Sequence, residues 1–208
     1  IPLYIVLSTL FIWLTRINVD LSTIGLFALT QLPWTLKFLW APFIDNFKIP
    51  YLTNFFGHRK AWLLVIQLFL GLSILLLGYS DPSNYLEFTA ICSLMVAFFS
   101  ASQDIVVDAF RIEILDDNSQ GAGAAMTQFG YRVGGILAGA GSLYLTSFFS
   151  WKIVFVIMSA VLFFLMFIII FLIPITEKSK TVKKKNYIKP FNEFIIRNSL
   201  YKTLLIIF

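Results

Sequence analysis

Charge is what this chain has least of. Charged residues make up 13% of its 208 positions and hydrophobic ones 59%, about half the charge of an average soluble domain. That scarcity excludes an ordinary water-facing surface. Cysteine is almost missing: Cys92 stands alone in an apolar stretch. No disulfide can close within the chain, and a lone buried thiol reads as a small hydrophobe. A single histidine, His58, leaves little material for a histidine-built metal centre or a Ser-His-Asp relay. No metal and no cofactor is therefore expected. The alternation of apolar and polar residues that marks barrel strands is lacking too.

What the chain has instead is long apolar runs and a mean hydropathy of +0.84. Residues 154–173 carry no charge, enough to cross a hydrocarbon core of ~30 Å. Helices satisfy the backbone within lipid, so the expectation is an all-α polytopic membrane protein. Six helical segments are expected over 1–15, 21–44, 61–79, 85–114, 122–146 and 150–173, and a seventh starts near 199. Pro33 and Pro42 interrupt the second. Asp116-Asp117-Asn118-Ser119 should supply an N-cap to the fifth. The domain reading is a bundle over 1–173, a basic loop over 174–198 and the start of a further helix over 199–208. The chain begins at Ile1 and ends at Phe208, each inside an apolar run. It reads as a fragment of a longer protein whose other half is missing.

Net charge is +5, with much of the excess in one loop. Lys178, Lys180, Lys183, Lys184, Lys185, Lys189 and Arg197 face only Glu177 and Glu193. This fits a cytoplasmic loop under the positive-inside rule, with anionic lipid as the alternative contact. No folded basic domain accompanies it, so nucleic acid is excluded as a partner. Lys48, Arg59 and Lys60 follow the second segment, while the loops after the first, third and fifth hold only Arg16 and Lys152. The N-terminus and the central loop are therefore expected on the cytoplasmic side.

Against this background a carboxylate in mid-span stands out. Asp104, Asp108 and Arg111 are spaced i, i+4, i+7, one face of a helix. Charge at membrane depth costs a few kcal/mol or more and marks an ion or substrate path by default. Lys37 and Arg132 are each the one cation of an apolar segment and fall at similar depth. Desolvation favours the protonated carboxylate and a nearby cation opposes it. Asp104 with either cation is thus a proton-coupling candidate, and the plainer alternative is a permanent ion-pair network. Asp108, Arg111 and Glu113, nearer the cytoplasmic end, read as structural or gating groups. Trp34 and Tyr131 are candidates for stacking on a sugar face, and Trp40 suits interfacial anchoring. Gly130/Gly134 and Gly135/Gly139 are small-xxx-small pairs for close helix packing. Gly139-Ala-Gly141 follows no strand and is not a dinucleotide motif. The third and sixth segments are the most apolar, as the lipid-facing helices of a three-plus-three inverted repeat would be. No nucleophile–base pair is evident, so an enzyme is not expected.

Four blocks carry a family resemblance: residues 36–45 (LKFLWAPFID), 57–62 (GHRKAW), 102–111 (SQDIVVDAFR) and 130–134 (GYRVG). Together they resemble the AmpG-like muropeptide permeases of the major facilitator superfamily. The resemblance implies the N-terminal six-helix bundle of a twelve-helix transporter. It also implies proton-driven import of anhydromuropeptides across the bacterial inner membrane, serving peptidoglycan recycling. Asp104, Asp108, Lys37, Arg132 and Gln103 are the candidates for proton coupling and the substrate path. Asp45, Gly57, Arg59 and Lys60 would form the cytoplasmic gating loop with Arg111. That loop is lengthened by residues 46–56, with His58 where a basic residue is usual and Ala41 where glycine is usual. Related acetyl-CoA transporters share the Gln-Asp-x-x-x-Asp pattern, so acetyl-CoA or another organic anion is the alternative substrate. A truncated product that does not transport is the alternative for the chain as it stands.

Overall fold

The computed structural model describes residues 2–172, which fall in one compact unit. The basic loop at 174–198 and the segment at 199–208 lie outside the described residues. Six helices order the unit. α1 covers Pro2–Arg16 and α2 residues 21–46. α3 is His58–Tyr79 and α4 Leu86–Ile114. α5 covers residues 120–145 and α6 Trp151–Leu172. α3, α4 and α6 are continuous, long and apolar enough to cross a membrane. No strand occurs among the described residues.

The other three are built in pieces. α2 alternates α-turns with tighter 3-10 turns at Phe27–Gln31 and Lys37–Leu39. Its α ladder restarts at Leu32–Leu36 and Ala41–Asn46, each with proline in the first turn. The reason is local: Pro33 and Pro42 offer no N–H, so each can only open a fresh α segment. The second 3-10 turn begins at Lys37. α1 and α5 each hold one wider π turn, at Ile5–Thr9 and Leu137–Gly141. The two turns pack together, and there the Thr9 hydroxyl donates to the Ala138 carbonyl at 2.7 Å.

Three expectations change. Residues 46–56 are not all loop: Leu52–Phe56 forms a short helix, and Trp62 donates to the Phe47 carbonyl at 2.8 Å. α3 therefore starts three residues early, at His58. The polar run before α5 supplies no side-chain cap; Gln120 turns back and donates to the Leu115 carbonyl at 2.8 Å. Finally, α3 is not peripheral. The most apolar stretch of α3 is 61% covered within the unit, against 28% for α6. α3 lies between α4 and α6 and leaves Leu68, Leu72 and Leu76 as an uncovered stripe.

The packing has an exchange symmetry. α3 runs along α4 and α2 also leans on α4. Exchanging the first three helices for the last three maps these pairs onto α6 with α1 and α5 with α1. Both occur: Trp13 of α1 lies 5.7 Å from Trp151 and 5.2 Å from Phe155 of α6, and α1 meets α5 at the π turns. The shared core is Ile5, Leu10, Leu14, Leu70, Ile74, Leu77 and Phe155. Close approach of α3 and α6 rests on glycine: a Cβ at Gly78 would sit 2.5 Å from the Phe155 Cβ.

Asp20 opens α2. Its carboxylate accepts from the Thr23 amide at 2.9 Å and the Thr23 hydroxyl at 2.6 Å, and from the Ser22 hydroxyl. The Ser22 bond first, then those from Thr23, pull its pKa from 3.8 to about 2. A carboxyl depressed on folding stabilises fully above its ordinary value and loses that contribution as pH falls through the folded one. Thermal unfolding of purified protein should therefore weaken between pH 4 and about 2, and Asp20→Ala should flatten that part of the profile.

Candidate functional site

α4 presents Ser100, Gln103, Asp104 and Val107 at i, i+3, i+4, i+7, and α5 presents Thr127, Gly130 and Tyr131 at i, i+3, i+4. Both sets are single helix faces. With Pro2 and Leu3 of α1 they line one cleft of about 210 Å³. Asp104 is the charge on its wall, with a side chain 19% exposed. Lys37 reaches it from the 3-10 turn of α2, its Nζ 3.7 Å from Oδ2. The Tyr131 hydroxyl donates to Oδ1. Three helices thus converge on one carboxylate. A cation and a phenol beside it supply what an intramembrane carboxylate needs to be tolerated.

The expected constellation is only partly gathered here. Asp108 turns to Arg111 on its own helix, 3.4 Å away, so the i, i+4, i+7 face splits into two pairs. Arg132 does not join Lys37 at Asp104: it is exposed and makes no ion pair among the described residues. Neighbouring residues point about 100° apart on a helix, and Tyr131 already occupies the α4 side. Tyr131 acts as a hydrogen-bond donor. Trp34 packs against the core with a buried indole N–H that has no partner among the described residues, and it is not on the cleft wall. Trp40, expected as an interfacial anchor, is tied into the bundle: its indole donates to the Ser102 hydroxyl at 3.0 Å and its ring lies 5.0 Å from Phe98.

The Gln103 NH2 is bonded away from the cleft. Its Nε2 lies 3.1 Å from the Gln67 Oε1, and Gln67, 1% exposed, donates to the Leu162 carbonyl at 2.9 Å. Gln67 is visible in the sequence as the one strongly polar side chain of an apolar segment. Its link to the cleft is not, because a sequence does not say which helices are neighbours.

A second cluster closes the other end of α3. Arg59, its side chain 12% exposed, bonds Asp45 at 2.6 Å. It also holds the Glu113 Oε1 through Nη2 at 2.6 Å and Nε at 2.9 Å. α2, α3 and α4 are joined by one guanidinium. Gly57 precedes it at φ 78°, ψ 166°, a region essentially restricted to glycine. His58 Nε2 lies 3.1 Å from the Ile44 carbonyl. Two residues grouped with this loop go elsewhere. Lys60 is buried, donates to the Ile170 carbonyl of α6 at 2.7 Å and so caps that helix end. Arg111 serves Asp108. Glu113, read with Asp108 and Arg111, is the group that completes the cluster. Both carboxylates are over 40% exposed, so each pair should be worth no more than about 1 kcal/mol. Arg59→Ala should cost more than Asp45→Ala or Glu113→Ala in thermal unfolding. A Glu113→Ala effect undiminished in the Arg59→Ala background would contradict the pairing.

Comparison with known proteins agrees with this architecture. The family described as Major Facilitator Superfamily matches residues 3–208. The chain is 34% identical to the putative transporter AmpG 4 of Rickettsia conorii, over 98% of this chain and 51% of that protein. It is 35% identical to the anhydromuropeptide permease of Escherichia coli K12, over 100% of this chain and 42% of that protein. An uncharacterized protein of Haemophilus influenzae is 39% identical over 74% of this chain and 36% of its own length. No solved structure matches. The chain spans about half the length of the first two of these relatives. With a family match over nearly its whole length, this chain belongs to the major facilitator superfamily.

Proposed function

We propose that this chain forms the N-terminal half of a secondary transporter that imports anhydromuropeptides, in symport with protons, across the bacterial inner membrane. The observation that carries the reading is the Asp104 carboxylate, held in a cleft between Lys37 and Tyr131. With Asp104 ionised, Lys37 is neutralised across 3.7 Å. A proton arriving on Asp104 removes that charge and frees the Lys37 ammonium for an anionic group on the substrate. Loss of the proton restores the pair and expels the anion. One carboxylate thereby links proton and substrate occupancy, which is the requirement of coupling. The names of the Rickettsia and E. coli relatives support a muropeptide as the cargo.

The cleft of about 210 Å³ is below the roughly 300–1,000 Å³ of ordinary ligand sites, so a disaccharide-peptide requires facing helices from the second half. In this reading the Arg59 cluster is the cytoplasmic gate, with the N-terminus and the loop after α6 on the same side.

The test is uptake of radiolabelled anhydromuropeptide by cells lacking their own permease and expressing the full-length parent. Uptake abolished by a protonophore is the expected result. Uptake that survives it contradicts proton coupling. No uptake at normal membrane abundance refutes the substrate, and acetyl-CoA becomes the next anion to offer.

A further inference from the structure

The amide chain Gln103–Gln67–Leu162 crosses three helices, and its polarity is determined at the far end. A backbone carbonyl only accepts, so the Gln67 group 2.9 Å from the Leu162 oxygen is its NH2. Gln67 must then turn its oxygen toward α4. The Gln103 group 3.1 Å from that oxygen is in turn an NH2. What remains of the Gln103 amide is its oxygen, which has no partner among the described residues, on a residue lining the cleft. A carbonyl on α6 has decided which atom α4 offers on the opposite side of α3.

We infer that Gln67 is a positioning residue that locks Gln103 Oε1 as a hydrogen-bond acceptor for an N–H or O–H group of the transported ligand. This rests on the transport reading above. The chemistry is selective because a free glutamine amide turns over at little cost and serves donors and acceptors alike, whereas a locked one rejects an acceptor by leaving two oxygens opposed. The wall at Gln103 therefore asks for a donor, such as a sugar hydroxyl or an amide N–H. Gln67 itself never touches the ligand, being 1% exposed.

The experiment uses the full-length protein with Gln67→Leu, Gln103→Leu and the double variant, and labelled anhydromuropeptide as the probe. One lost hydrogen bond corresponds to a KM raised about three- to tenfold. That full rise is expected for Gln103→Leu; Gln67→Leu, which leaves the Gln103 oxygen in place but no longer holds it, should raise KM less, at unchanged maximal rate and membrane abundance, and that smaller rise should vanish in the Gln103→Leu background. An unchanged KM, or effects of the two substitutions that simply multiply, would overturn the inference. A merely structural role would lower abundance or maximal rate in both backgrounds. In parallel, hydrogen exchange of 15N-labelled glutamine side chains is read in detergent-purified protein. The Gln103 NH2 should be protected in the wild type and exposed in Gln67→Leu. If the wild type takes up no muropeptide, the proposed substrate falls and this exchange decides the relay alone: an unprotected Gln103 NH2 in the wild type refutes it.

Discussion

Asp104→Asn should abolish substrate uptake by the full-length protein, by about 100-fold or more, the scale on which losing a proton-transfer group is felt. Asparagine has the same shape and still offers an oxygen to the Tyr131 hydroxyl, so packing on the cleft wall should survive. It can carry neither a proton nor a charge. Lys37, 3.7 Å away, then keeps its ammonium without an anion, and nothing in the cleft responds to the proton gradient. Tyr131→Phe should do less, about three- to tenfold, because it removes one hydrogen bond and leaves the carboxylate in place. Substrate exchange down its own gradient separates coupling from binding: the Asp104→Asn protein should lose accumulation even where exchange persists. Near-normal, protonophore-sensitive accumulation by Asp104→Asn would sink the assignment.

The largest effect on stability is expected at Phe155. Its side chain is 1% exposed and sits where α1, α3 and α6 meet, 5.2 Å from the Trp13 ring and against Gly78. Between helices in lipid the gain comes from packing rather than from water exclusion, so the cavity left by truncation dominates. Phe155→Ala should cost about 3 kcal/mol. Gly78→Ala should cost about 1–3 kcal/mol by overpacking, since the Phe155 Cβ stands 2.5 Å from the added carbon and cannot retreat without moving α6. Gly71→Ala should cost less, because it meets the far end of the Phe163 ring at 2.7 Å, which can rotate aside. The discriminating measurement is thermal unfolding of all three with Phe155→Gly and the Gly78→Ala/Phe155→Gly double variant, because Phe155→Ala keeps the Cβ that the added carbon meets. The double should be less destabilised than the sum, and strict additivity would contradict the proposed fit.

Much of this could be read along the chain. The existence and order of the helices follow from the apolar runs, and the breaks in α2 follow from Pro33 and Pro42. The clustering of Ser100, Gln103, Asp104 and Val107 follows from helical spacing. Where reading failed, the missing quantity was rotation or neighbourhood. Arg132 and Tyr131 are adjacent in the chain, and only the packing of α5 on α4 chooses between them. Lys60 and Arg59 are adjacent too, yet one caps α6 and the other joins α2 to α4. Glu113 looked like part of the Asp108–Arg111 group, although its partner is 54 residues away.

The sequence by itself determined that this protein is a bundle of apolar helices with a few costly charges, because hydropathy and helical period are local properties of the chain. Only the tertiary structure decided which charges meet, that Lys37 and Tyr131 share Asp104, and that a carbonyl on α6 orients an amide in the cleft. Those outcomes depend on how each helix is rotated against its neighbours, and many side chains distant in sequence compete to settle it.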